Sequence, residues 1–284
     1  MSGRNIGQRT LKDSVVLYGH CLHSGMKSGL VLQPLPANSG IHFAQMGGPR
    51  TVPAYISHVN STTLATTLRA EAVSVSTIEH LMSALHAYGI SNLLIKCNGE
   101  VPVFDGSSLE FCNSIESVGI EEQGGDWFEL AVDEPITFVN EQGDQRERIT
   151  LEPADELSVH YTLQYPAPVG LQVFEYTHTG VQSFRDEIAP ARTFGFISDV
   201  ERMQRAGLAA GGRLNNFILI GNEGIVNTDL RFPEELVRHK ILDAIGDLFL
   251  IGRPLRCRIT AHMTGHSDNA NLLRMVADKM KTIS

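Results

Sequence analysis

Apolar and polar positions along the chain change period several times, and each change marks an element. In the first third, short apolar runs alternate with turns. Ser14-Val15-Val16-Leu17-Tyr18 stops at Gly19, and Gly29-Leu30-Val31-Leu32 stops before Pro34 and Pro36. Runs of this length with Gly/Pro boundaries predict strands. The period then lengthens. Ile78, Leu81, Met82 and Leu85 recur at i, i+3, i+4 and i+7, the apolar face of a helix. Ser76 and Glu79 have capping-box spacing at its start, and Gly89 supplies a stop. Asn92 to Cys97 reads as a strand, and Asp105-Gly106 as a turn into a short helix.

Glu121-Glu122-Gln123-Gly124-Gly125-Asp126 is polar, glycine-containing and without strand pattern, and is the expected linker between domains 1–124 and 125–284. Beyond it, Ser158 to Tyr165 and Gln172 to His178 predict strands, Ile197 to Ala206 a helix, Gly211-Gly212 a turn and Asn216 to Ile220 a strand. A helix opens at Pro233, a residue suited to a first turn, and runs to Leu250. A strand from Arg256 to Ala261 and a helix from Asn271 to Ile283 close the chain. Each half therefore runs strands, a helix with a polar stripe, and a further strand. That order hints at a duplicated unit, and the class is α+β or mixed α/β with two sheet-and-helix layers.

Composition narrows the function. With 42% hydrophobic and 19% charged residues the chain is an ordinary globular protein. A net charge of −9 argues against a nucleic-acid binder, because phosphate neutralisation needs a basic surface. No stretch approaches the roughly 20 apolar residues of a membrane span, and Met1 to Gly19 has no apolar signal segment, so a cytoplasmic protein is expected. The four cysteines lack Cys-x-x-Cys spacing, which points to buried thiols in a reducing compartment.

The chemistry is concentrated in two helices. His239 and Asp243 are four residues apart, so their side chains are surface neighbours with Cβ atoms roughly 5–6 Å apart and can close on one ion. A catalytic zinc takes three protein ligands and keeps one open position. Glu79-His80 on the earlier helix offers the third ligand with a carboxylate beside it. Purely structural explanations compete. Taken alone, Glu79 reads sooner as the reciprocal partner of a Ser76 cap, His80 as a solvated histidine, and the His239, Asp243, Asp247 side as a helix face turned to water. Against the last, His, Asp and Gly are poor choices for a solvated helix face, and Gly246 suggests that something packs close there.

Longer strings carry a resemblance. Ser76-Thr77-Ile78-Glu79-His80-Leu81, Phe104-Asp105-Gly106-Ser107, Ala191-Arg192-Thr193-Phe194-Gly195-Phe196, the run from Val237 to Asp247, and Gly265-His266 resemble the UDP-3-O-acyl-N-acetylglucosamine deacetylase family. Gln8-Arg9-Thr10-Leu11 and Leu22-His23-Ser24-Gly25 agree, in order and with compatible spacing from near residue 8 to near residue 275. The resemblance implies two similar sheet-and-helix domains packed together with the active site between them. It implies one catalytic Zn²⁺ and removal of the N-acetyl group from a UDP-linked, acylated glucosamine on the way to lipid A in a Gram-negative-type bacterium. Fe²⁺ would suit the same donors. A monomer is expected.

By the same similarity, His80, His239 and Asp243 hold the metal and Glu79 is the general base. His266 is the protonated partner of the oxyanion or the leaving amine, and Asp247 holds its ring. Thr193 hydrogen-bonds the developing oxyanion, and Lys240 contacts the sugar nucleotide. Phe194, Leu22 and Leu64 line an acyl passage, and His23 falls near the metal or serves structurally. Two departures stand out. Met263 occupies a position where the family often has a phosphate-binding lysine, a role Arg146 or Arg148 would have to take. Phe217 stands where a small residue is common, which implies a shorter acyl chain. The competing readings are a zinc amidohydrolase acting on another N-acetylated sugar and a non-catalytic binding protein on the same scaffold.

Overall fold

The computed structural model describes residues 4–141, 147–200 and 210–283. The first half carries strands β1 (Gln8–Leu11), β2 (Val15–His20), β3 (Lys27–Pro34), β4 (Ile41–Gln45), β5 (Thr51–Pro53), β6 (Val59–Ser61), β7 (Thr67–Ala70) and β8 (Val73–Val75). Helix α1 (Glu79–Ala87), strand β9 (Leu93–Cys97), helix α2 (Leu109–Val118) and strand β10 (Ile120–Gln123) follow. The second half opens with β11 (Leu130–Ala131), β12 (Ile136–Asn140), β13 (Glu147–Pro153), β14 (Ser158–Tyr165) and β15 (Gly170–Thr177). It continues with α3 (Val181–Glu187), β16 (Phe194–Phe196), β17 (Ile218–Ile220), α4 (Glu235–Leu248), β18 (Leu255–His262) and α5 (His266–Ile283).

Two sheets share one topology. The first runs β2-β3-β9-β4-β5 and the second β12-β13-β18-β14-β15, with β11 also beside β18. In each, the strand that follows the site-bearing helix lies in the middle. β9 is antiparallel to β3 and parallel to β4; β18 is antiparallel to β13 and parallel to β14. The duplication hinted at by element order is therefore visible in strand order. The α+β class holds, with β6-β7-β8 and β16-β17 as small additions.

The expected linker is not strandless. Ile120 to Gln123 pairs antiparallel with Leu11 to Gln8, fastening the end of the first half to its beginning. The polar glutamates misled because an exposed edge pair needs no apolar alternation; Glu121 and Glu122 are exposed.

All nine residues of α1 are buried. Ile78, Leu81, Met82 and Leu85 face the core, each stabilising by about 1.5–3 kcal/mol. The opposite side faces α4 rather than water, so the solvated readings of His80 and of the polar stripe on α4 fail. Gly246 is the reason the two helices can close: a Cβ there would lie 2.0 Å from the Glu79 carbonyl oxygen.

No side chain caps α1. Ser76 instead pairs its backbone with the neighbouring strand segment, its N–H donating to Gly99 O at 3.0 Å while Val101 N donates to Ser76 O at 3.1 Å. The stop is as expected. Gly89 adopts φ +67, Gly89 N donates to His86 O and Ile90 N to Leu85 O, a Schellman arrangement.

Helix boundaries shift. The Pro233 helix starts regularly at Glu235 and passes after Leu248 into a 3-10 turn (Phe249–Ile251). The closing helix starts at His266, because Asp268 Oδ2 accepts the Gly265 N–H at 2.8 Å and caps it earlier than the apolar pattern begins. Residues 197–200 are helical, and the rest of the stretch expected to reach Ala206 lies outside the described residues. Gly211 packs against the Cys21–Gly25 loop, donating to Leu22 O at 2.9 Å where any side chain would strike Cys21 O. All four cysteines are buried and unpaired.

Candidate active site

Helix α1 contributes Glu79 and His80 in its first turn, and α4 contributes His239, Asp243 and Asp247 at four-residue intervals on the side facing α1. All five are buried. The ligand atoms of His80, His239 and Asp243 lie within 4.8 Å of one another. Asp243 Oδ1 is 3.4 Å from His239 Nε2 and 3.7 Å from His80 Nε2, and the two rings meet edge to face at 4.9 Å between centroids.

The donor set fits a divalent cation. His239 Nδ1 donates to Ala191 O at 3.0 Å, which fixes the tautomer and leaves the Nε2 lone pair toward the centre. Burial pushes His80 down to about 3 and lowers His239, so both imidazoles are neutral as ligands must be. Asp243 is buried too, yet His239 and Lys240 hold its carboxyl far below the usual range. Lys240 Nζ donates to Asp243 Oδ2 at 3.0 Å; burial opposes its charge, and Asp243 overrides that and keeps it protonated.

Beside this triad is a second set. His266 Nδ1 donates to Asp247 Oδ2 at 2.8 Å, and His266 Nε2 lies 4.0 Å from Glu79 Oε1. Burial works against an imidazolium, but Asp247, with Glu79 and Asp243, raises His266 to about 9. Glu79 is pushed up to about 7 by burial, partly offset by His266, with Asp247 and Asp243 adding to the rise. Its carboxylate accepts the Thr66 N–H at 3.2 Å instead of returning to the helix cap. A raised carboxyl beside a raised imidazole is what an acid–base pair requires.

A cavity of about 520 Å³ opens over His239 and Asp243. Its walls include Leu64, Thr193, Phe194, Lys240, Met263 and His266. Tyr165 and Phe196 also line it, with ring centroids 5.1 Å apart, and Phe194 contacts both Tyr165 and His239. Leu64 and Met263 both hold left-handed backbone, at φ 62 and 55, and Thr77 before α1 does so at φ 59. Such conformations cost of order 1–3 kcal/mol each and gather where the fold over-determines a site.

Most expected residues converge, but not all. Leu22 and Phe217 are absent from the cavity wall. Lys240 lines the wall while its ammonium is engaged by Asp243. Thr193 is positioned through its backbone, which donates to Gly106 O at 2.8 Å. His23 is partly buried and neither ring nitrogen has a hydrogen-bond partner among the described residues. Met263 accepts the Gln164 N–H on its sulfur at 2.9 Å, Arg148 is exposed on β13, and Arg146 lies outside the described residues. A larger cavity, about 660 Å³, opens at His86 and His178 and contains none of the triad.

Sequence reasoning missed four contributors. Tyr165 and Phe196 complete the aromatic wall, while Thr66 and Asn269 donate to Asp247 Oδ1 and Oδ2 at 2.6 and 2.9 Å. The aromatic pair had a signal, since Phe196 alternates with Phe194 along one strand; Thr66 and Asn269 had none.

Comparison with known proteins agrees with this geometry. A family profile described as UDP-3-O-acyl N-acetylglycosamine deacetylase matches residues 8–278. A UDP-3-O-acyl-N-acetylglucosamine deacetylase of Myxococcus xanthus is 42% identical over 281 residues, 97% of this chain and 88% of the relative. The protein of that name from Neisseria meningitidis serogroup C is 41% identical, covering 95% of this chain and 89% of the relative. One from Syntrophotalea carbinolica is 40% identical over 276 residues, with 95% and 88% covered. With near-complete coverage on both sides and a match that spans both sheets, the chain belongs to the UDP-3-O-acyl N-acetylglycosamine deacetylase family.

Proposed function

We propose that this protein is a zinc-dependent deacetylase that hydrolyses the N-acetyl group of UDP-3-O-acyl-N-acetylglucosamine, a cytoplasmic step of lipid A biosynthesis. The observation that carries this reading is the meeting of His80, His239 and Asp243 beside the Glu79–His266 pair in a chain of this family. Two neutral imidazoles and one carboxylate suit zinc, and Fe²⁺ takes the same donors.

His80, His239 and Asp243 would hold the ion. When bound it supplies Lewis acidity toward the amide carbonyl and makes a water molecule more acidic. The chain's own groups then divide the proton work. Glu79 accepts the proton of the attacking water, aided by a carboxyl raised toward neutrality. His266, cationic at pH 7 through Asp247, stabilises negative charge on the carbonyl oxygen and gives a proton to the departing amine nitrogen. Thr193, on the cavity wall, donates its hydroxyl to the same oxygen. Asp243 holds Lys240 in the cavity wall, where its charge would meet an anionic nucleotide.

The aromatic wall of Phe194, Phe196 and Tyr165 gives an acyl chain an apolar surface. Phe217 immediately precedes Ile218, the register partner of Phe194, and on this reading limits acyl length from behind that wall. The chain divides near residue 124 on the same reading, supported by two sheets that draw their strands from either side of it. Among the described residues no helix is long and apolar enough to cross a membrane.

The test is a deacetylation assay on UDP-3-O-acyl-N-acetylglucosamine with varied acyl lengths, against UDP-N-acetylglucosamine and other N-acetylated sugars. Preferential release of acetate from the acylated nucleotide supports the reading. Equal turnover of the unacylated sugars would overturn it, and equal rates for long and short acyl chains would remove the role of Phe217.

A further inference from the structure

Thr66 is 2% exposed and immediately precedes β7. Its two polar groups go to two different carboxylates. The N–H donates to Glu79 Oε2 at 3.2 Å, and the hydroxyl donates to Asp247 Oδ1 at 2.6 Å. Those carboxylates stand on α1 and α4, and they address opposite nitrogens of one ring. Asp247 Oδ2 accepts from His266 Nδ1 at 2.8 Å, while Glu79 Oε1 lies 4.0 Å from His266 Nε2.

We propose that Thr66 is a positioning residue for the deacetylation machinery: one residue of the β6–β7 connection, its amide on Glu79 and its hydroxyl on Asp247, sets where Glu79 and His266 stand relative to each other. The inference rests on the deacetylase reading of the site. Its logic is one of oxygen allocation. With Oδ1 occupied by the Thr66 hydroxyl, Asp247 presents Oδ2 to His266 and Asn269. With Oε2 occupied by the Thr66 amide, Glu79 presents Oε1 toward the His266 ring. A buried carboxylate free to rotate would lose that assignment, and a small angular error at a reacting group is costly.

The segment is itself held at its other end. Thr62 Oγ1 and Ser267 Oγ are 2.7 Å apart, so the connection is tied to the first turn of α5 next to His266. Between the two ties, Leu64 keeps its left-handed backbone. Residues 62–66 thus tie the β6–β7 connection to all three helices that carry the acid–base groups.

The test compares Thr66→Val, which keeps shape and loses the hydroxyl, with Thr66→Ser, which keeps the hydroxyl. Thr66→Val is expected to lower kcat by about tenfold or more, the scale of one hydrogen bond to a buried charge, with KM within about twofold and metal content unchanged. Thr66→Ser is expected to stay within about threefold of the parent. Unchanged kcat in Thr66→Val, equal losses in both variants, or a change confined to KM would overturn the proposal. Thr66→Ala gives the same comparison if Thr66→Val does not fold. Should the parent protein fail to deacetylate the acylated nucleotide, the functional reading fails separately. Thr66 is then judged from the ¹⁵N signals of the His266 ring, which should move in the Val or Ala variant and stay in place in Thr66→Ser. Identical signals in all of them would reject the role.

Discussion

Asp247 Oδ2 accepts the Nδ1 proton of His266 at 2.8 Å, and this contact sets the charge of the ring. Although burial disfavours the cation, Asp247 lifts His266 from 6.5 to about 9, so the ring is protonated at pH 7. A reaction that needs this proton is fully supported below that value and lost as pH rises through it. We expect the alkaline limb of kcat near pH 9. In Asp247→Asn the attraction is removed, and the limb should move down by at least about one pH unit. A limb that stays in place in Asp247→Asn would show that another group governs it.

Glu79 should be essential to turnover but not to metal binding, because its oxygens go to Thr66 and toward His266 rather than into the triad. Glu79→Ala is expected to reduce activity by at least about 10²-fold, the scale of general-base loss. Metal analysis of the same sample should match the parent. Retained activity, or loss of the metal, would contradict the assignment.

On the proposed reading Asp243 has two duties, as a metal ligand and as the partner of Lys240. Asp243→Ala should abolish stoichiometric metal and also leave a buried ammonium without its counter-charge. Breaking a buried pair from one side costs about 3–5 kcal/mol. Thermal denaturation of the metal-free proteins separates the two effects: the variant should melt well below the metal-stripped parent.

Gly246 should tolerate no side chain. A methyl at that position meets Glu79 backbone, not a flexible chain end, so α1 and α4 must part. Gly246→Ala is expected to cost at least about 1–3 kcal/mol, as overpacking does, and to lower activity as Glu79 shifts. Chemical denaturation measures the first and steady-state kinetics the second. Parent-like stability would mean that the helices slide apart freely.

Much of this was legible in the residues themselves. The apolar period of α1 showed its core face, the His239–Asp243 spacing suggested a shared site with His80, and Gly246 pointed to something packed close, because a close approach between helices leaves marks in composition. Strand order left no such marks. The pattern that makes β9 and β18 strands is the same whether they lie centrally or at an edge, so the shared topology needed coordinates. Ser76 and Glu79 misled since their spacing satisfies the capping pattern although the Glu79 carboxylate turns to the Thr66 N–H instead. Thr66 and Asn269 were invisible for a simpler reason. Each contributes one hydrogen bond across a long sequence separation, and nothing local distinguishes them from any other threonine or asparagine.

Because one candidate metal ligand comes from α1 and the other two from α4, neither half of the polypeptide alone presents the complete donor set. A nascent chain that has emerged only through the first sheet offers a single imidazole from this triad, which holds a divalent cation weakly. On the proposed reading, tight capture would wait until the later helix has docked, and the cation would then reward the finished tertiary arrangement over any half-built one. Loading with metal would in this sense proofread assembly, through the same atoms that would later serve turnover.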